Sequence, residues 1–212
     1  MPSRNFIVPS IFLFLLVLAC NSDTADATNK ESNSKYYSEL PFNENLLEEG
    51  DIILRRGSGM LSNYIIKKLN DSLPVSHCGI ITKKDNEIVV IHSILSEEKG
   101  IKGITSEPIN DFIAEGLLNT LVIVRPKQTK QFKKEFVEKA HILLSKNIPF
   151  DPMFDINSSD KMYCTEIVWK ISKDLLGKDI FHKKVPANNT ELLGFDSFFN
   201  PAYFEVIFSD FE

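Results

Sequence analysis

The chain is short of the residue patterns that announce a metal or nucleotide site. Its 212 residues include three Cys and four His. None of these fall at Cys-x-x-Cys or His-x-x-x-His spacing, so the usual zinc frameworks are excluded. There is no Gly-rich loop of the kind that cradles phosphate, and no Gly-x-Ser-x-Gly turn for a serine nucleophile. No basic cluster occurs beyond short Lys pairs and the formal net charge is −5, which argues against nucleic acid as a partner. No apolar run is long enough to cross a bilayer comfortably. No internal repeat or low-complexity tract is evident, and nothing in the pattern asks for a cofactor.

The N-terminus carries the one marked apolar stretch. Arg4 is followed by an unbroken run from Ile11 to Ala19 and then Cys20. A charged start, an apolar middle and a small-residue end are the marks of an export signal over residues 1–20. Val17-Leu18-Ala19-Cys20 resembles a bacterial lipobox, which implies lipidation of Cys20 and attachment to a membrane by acyl groups. An ordinary signal peptide with a stray thiol is the plainer alternative. Residues 21–40, rich in Asn, Ser, Thr, Asp and Lys, have the composition of a solvated tether. The expected location is the bacterial cell envelope.

Residues 41–212, about 170 positions, suit one domain with one sizeable core, to which thirteen of the sixteen Phe contribute. Glu49-Gly50-Asp51 reads as a turn into a strand at Ile52–Leu54. Leu61, Ile65 and Leu69 recur at helical spacing within 57–70. Two β-branched runs, 76–82 and 87–94, flank the polar Lys83-Lys84-Asp85-Asn86 and predict an antiparallel hairpin. A short helix is expected at 110–116 and a strand at 120–124. An amphipathic helix is expected over 128–147, with Phe132, Phe136, Val137, Ala140, Leu143 and Leu144 on its inner face. A loop over 147–161 leads to a helix whose stripe is Cys164, Ile167, Val168, Ile171 and Leu175, stopped by Gly177. A polar connector and a last strand at 203–208 complete an α+β reading.

Two residues distant in sequence carry the chemistry. Cys164 opens its helix, where unpaired N–H groups and the helix dipole favour a thiolate and can donate to an oxyanion. Ser159 or Asp160 is the expected cap. His77 opens the strand SHCGIIT and is the candidate base for that thiol. A base of this kind needs a third group to orient it, and His92, ending VVIHS on the neighbouring strand, is the candidate. Strand alternation puts His77 and Ile81 on one face and Cys78 and Ile80 on the other. With His77 toward the cysteine helix, Cys78 becomes a packing thiol facing away. A disulfide between Cys78 and Cys164 is the structural alternative. His141 and His182 read as surface residues.

The ordered string GDIIL (50–54), SHCGII (76–81), a strand ending in His92, FD (150–151) and YCTEIVWK (163–170) resembles the YiiX/YebB-like branch of the NlpC/p60 papain-like cysteine hydrolases. The likeness covers nearly all of residues 45–208. It implies a circularly permuted papain-like fold, an antiparallel sheet of five or six strands packed against helices, in which the histidine strand precedes the cysteine helix. It also implies Cys164 as nucleophile, His77 as base and His92 as the variable third residue, with Gly50-Asp51 and Glu166 structural. The implied reaction is cleavage or transfer at an amide or ester bond, on cell-wall peptides or on acyl lipids, by a monomer. A catalytically idle binding lipoprotein is the non-enzymatic alternative. Phe150, Phe154 and the helix 60–69 read as core, with a greasy pocket as the second reading.

Overall fold

The structure, a computed structural model, describes residues 36–211 apart from 97–98 and 188–189. The export signal, the lipidation of Cys20 and most of the tether therefore lie outside the described residues. The last part of the expected tether is packed: Tyr37 is buried, and its hydroxyl donates to Asp210 near the other end of the chain. Among the described residues no helix is long and apolar enough to cross a membrane.

The first strand forms where Ile52, Ile53 and Leu54 leave the Gly50-Asp51 turn. Gly50 holds a positive φ of 88°, and its N–H donates to the carbonyl of Ile81. Strand β1 (Ile52–Arg55) then runs between β2 (His77–Lys84) and β5 (Val122–Pro126), antiparallel to both. With β3 (Glu87–Ser96), β4 (Ile101–Pro108) and a last strand, β8 (Phe204–Ser209), the sheet has the order β4-β3-β2-β1-β5-β8. Every pairing is antiparallel. The β2–β3 hairpin closes through Asp85 and Asn86, both at positive φ, as a tight turn between twisted strands requires.

Both faces of the sheet are covered, so β1 is apolar at every position but its last. Ile52, Leu54, Cys78, Ile80, Ile91, Val122 and Val124 enter the larger core. Ile53, Ile81, Val90 and Ile123 enter the smaller one on the opposite face. The larger core is closed by α1 (Met60–Leu69), α3 (Lys130–Ser145) and α4 (Cys164–Leu176). Helix α3 starts under Thr129, whose hydroxyl accepts the Phe132 N–H, and α4 stops at Gly177 with φ 63°. The smaller core is closed by α2 (Ile109–Ala114) and by Tyr37.

Two elements depart from the sequence expectation. Strand β4 carries Gly103, Glu107 and Pro108 and shows no alternation of the usual kind, yet it pairs with β3 along its whole length. Its outer edge is taken by the loop after α3, through Ile104 N–H to the Ile148 carbonyl and Phe150 N–H to the Lys102 carbonyl. The connector after α4 folds into a small hairpin of β6 (Lys184–Ala187) and β7 (Thr190–Leu193) that buries Leu192 and Leu193.

Candidate active site

Cys164 is the first residue of α4, and its helix is capped from within. The Glu166 carboxylate accepts the Tyr163 N–H at 3.3 Å, while Lys170 holds the other carboxylate oxygen at 2.8 Å. The expected caps Ser159 and Asp160 do not serve, because the turn before the helix places Tyr163 at the N-cap position. Burial raises the Glu166 carboxyl to about 7. Cys164 is buried in the larger core. Its thiol is pulled below the ordinary value mainly by the neighbouring Cys78 thiol. Burial opposes this, and the backbone N–H groups of Cys78, Thr165 and Cys164 itself assist it.

The approach of the Cys78 amide to this sulfur follows from the sheet. Strands β2 and β3 pair from Ile80↔Ile91 to Lys84↔Glu87. His77–Gly79 of strand β2 lie before the start of that ladder, and there the Cys78 amide meets the Cys164 sulfur. Cys78 turns its thiol into the same core as Cys164, so of the two neighbours it is Cys78, not His77, that points toward the cysteine helix. Both thiols are free. Burial and the adjacent Cys164 push the Cys78 thiol well up.

His77 takes the opposite face, as the alternation requires. Its ring stacks on Phe112 of α2 at 5.5 Å between centroids, and its Nε2 lies 2.8 Å from Nδ1 of His92. The two rings can meet because Gly79 lets β3 come close. A Cβ at that position would fall 2.3 Å from Val90 Cγ1 and 3.1 Å from His92 Cβ. His92 is buried against the edge of the same Phe112 ring. Burial, then the charge of Arg55 and the second ring, lower the affinity of His77 for a proton. Burial does the same for His92, with Glu107 opposing it.

Glu107, on β4, completes this side of the site. Its Oε1 lies 3.2 Å from His92 Nε2, and neither atom has another partner among the described residues. Left apart, these two buried polar atoms would each cost about 1–3 kcal/mol, so each is the other's partner. Lys99 bridges Glu107 (2.8 Å) to Glu115 (2.5 Å), and Glu115 holds Arg55 (2.6 Å). The Arg55 guanidinium lies over Phe112 at 4.7 Å. A chain of contacts thus runs from Arg55 through Glu115, Lys99, Glu107 and His92 to His77, and its two ends and His92 pack on one phenyl ring.

His77 and Cys164 line one cavity of about 470 Å³ together with Arg55, Ser93, Phe150 and Phe154. No direct hydrogen bond joins the imidazole to the thiol. Phe150 and Phe154 serve both expectations at once, being buried in the core and forming part of the cavity wall. His141 and His182 are exposed, the first bonded to Thr82 at 3.1 Å. Sequence reasoning brought Cys164, His77 and His92 to this region and missed Arg55, Glu107, Glu115 and Phe112. Glu107 is diagonal to His92 across the β3–β4 pairing, through Val90↔Glu107. That relationship is invisible until β4 is recognised as a strand.

Comparison with known proteins agrees with this architecture. A family model described as permuted papain-like amidase enzyme, YaeF/YiiX, C92 family, matches residues 46–198. The chain is also similar to a crystal structure described as metalloprotein yiiX from Escherichia coli O157:H7. The TM-score is 0.61 at 18% identity, over 78% of this chain and 98% of that one. No curated protein matches the chain. Among the described residues here, no group of three or more His, Cys, Asp or Glu side chains is arranged to hold a metal ion.

Proposed function

The chain belongs to the permuted papain-like amidase family YaeF/YiiX, and from that premise we propose that it is a thiol-dependent hydrolase with Cys164 as its nucleophile. The observation that carries the assignment is the shared cavity. A thiol at a helix N-terminus, pulled toward its ionised form, and an imidazole already held by a second imidazole line the same open cavity. In the reaction His77 takes the Cys164 proton as the sulfur attacks a carbonyl carbon. The tetrahedral oxyanion is met by backbone N–H groups at the start of α4, and His77 returns the proton to the leaving amine or alkoxide. Water then releases the acyl group from sulfur. His92 keeps the His77 ring in orientation. The lack of a direct thiol–imidazole bond is compatible with this sequence, because catalytic hydrogen bonds are often long in a resting site and tighten with substrate bound.

The substrate class we propose is an amide in a peptide, of the cell-wall type, presented to a monomer held by lipid at Cys20 in the bacterial envelope. An acyl-lipid substrate is the second reading, favoured by the apolar part of the cavity wall, which includes Ile65, Leu95, Phe150 and Phe154. A fluorescent thiol-directed probe on the full chain separates the two. Muropeptides displace it on the first reading and acyl amides or phospholipids on the second. A probe that reacts equally with a Cys164→Ser variant sinks the assignment of the nucleophile. The attachment itself is read from the mass of the mature N-terminal peptide, which should carry acyl chains on Cys20.

A further inference from the structure

We infer that Glu107 is a positioning residue for this site, setting which nitrogen of each imidazole carries its proton and leaving Nδ1 of His77 bare. The inference rests on the reading of Cys164 and His77 given above. It goes beyond that reading because Glu107 touches neither residue: it acts through His92.

The argument is one of donors and acceptors. Lys99 Nζ sits 2.8 Å from Glu107 Oε2. Burial by itself would raise this carboxyl, but the contacts with His92 and Lys99 outweigh burial and hold it down to about 2. An ionised carboxylate can only accept. The His92 nitrogen facing it, Nε2, must therefore carry the hydrogen. A neutral imidazole has one N–H, so His92 Nδ1 is bare. That bare nitrogen lies 2.8 Å from His77 Nε2, which must then donate. His77 in turn has its own Nδ1 left with a free lone pair, the form that can accept a proton from a thiol. Both rings are buried and lean toward the neutral state, as the chain of single donations requires.

The same logic gives a reversal. In a Glu107→Gln variant the side chain keeps its size but has one acceptor and one donor end. The Lys99 ammonium has hydrogens only to give, so it takes the amide oxygen. The amide N–H is then turned to His92 Nε2, which must be bare. His92 Nδ1 becomes protonated and donates to His77 Nε2, and the His77 proton moves to Nδ1, where it blocks transfer from sulfur.

The test pairs a spectroscopic and a kinetic readout on the full chain. Long-range proton–nitrogen correlation spectra of nitrogen-15-labelled protein near neutral pH report which nitrogens are protonated. The expected wild-type pattern is a bare Nδ1 and protonated Nε2 in both His77 and His92, and the expected pattern in Glu107→Gln is the reverse. Iodoacetamide alkylation of Cys164 should slow at least about tenfold in Glu107→Gln, since a wrong tautomer removes the base. A purely structural role for Glu107 would lower stability and leave the tautomers alone. A wild-type spectrum with His77 protonated at Nδ1 overturns the inference, as does unchanged alkylation in Glu107→Gln when His77→Ala slows it. Unchanged alkylation in His77→Ala instead overturns the base assignment, leaving the tautomer spectra to judge Glu107 separately.

Discussion

Cys78 and Cys164 share one buried core, yet their thiols are driven in opposite directions. Cys78 is pushed up by burial, whereas Cys164 is drawn down by Cys78 and by the amides around it. The Cys78 thiol lends its hydrogen toward the Cys164 sulfur, so stabilising one thiolate disfavours the other. The expected outcome is selective chemistry: iodoacetamide at neutral pH labels Cys164 first, and peptide mass mapping finds Cys78 labelled only after unfolding. Equal labelling of the two would show that the helix terminus confers no reactivity.

Phe112 backs both imidazoles and the Arg55 guanidinium. It is fully buried, with His77 stacked on it, His92 edge-on and Arg55 above it. Phe112→Ala should cost about 3–5 kcal/mol in stability, the usual range for removing a buried aromatic ring. Urea denaturation measures this loss. Activity should fall further than the folded fraction does, because both imidazoles lose their backing.

Gly79 is required for closeness rather than for a special backbone angle. A methyl group there would meet Val90 at a distance that real side chains do not tolerate and would press tightly on His92. Gly79→Ala should cost about 1–3 kcal/mol as β3 is forced outward. It should also weaken the His77–His92 contact, seen as a changed imidazole nitrogen spectrum in protein that remains folded. An unperturbed spectrum would mean the strands yield elsewhere.

Glu166 links the helix cap to pH. Its carboxyl is raised to about 7 in the folded protein from an ordinary value of 4.5. Between these two values the folded state binds more proton than the unfolded state, so this group makes stability fall as pH rises through the interval. The loss is complete above about 7. The span corresponds to roughly 3 kcal/mol. His77 and His92, lowered on folding, act the other way below the ordinary histidine range, so the effect is isolated as a difference. Relative to wild type, Glu166→Gln should gain stability from pH 5 to about pH 7 and then level off toward pH 8 in urea titrations. A constant difference would remove the link between Glu166 and pH.

Much of the framework was legible in the sequence because it follows from local periodicity. The hairpin of β2 and β3, the inner face of α3 and the Gly177 stop are each set by patterns within a few residues. The six-stranded sheet fits the expected permuted papain-like α+β fold. Strand β4 was not legible, since Gly103 and the Glu107-Pro108 end break the alternation and its stability comes from pairing with β3. The same gap hid Glu107. The orientation of Cys78 and His77 was read in the right alternation with the wrong sign. Alternation fixes which residues share a face, whereas the packing of α2 and α4 decides which face is which.

Tyr36, the first described residue, forms part of the cavity wall, and its hydroxyl donates to Ser58 Oγ at 3.0 Å. Tyr36 thus lines the same cavity as Cys164 and His77, although it stands more than forty residues before the nearer of them in the chain.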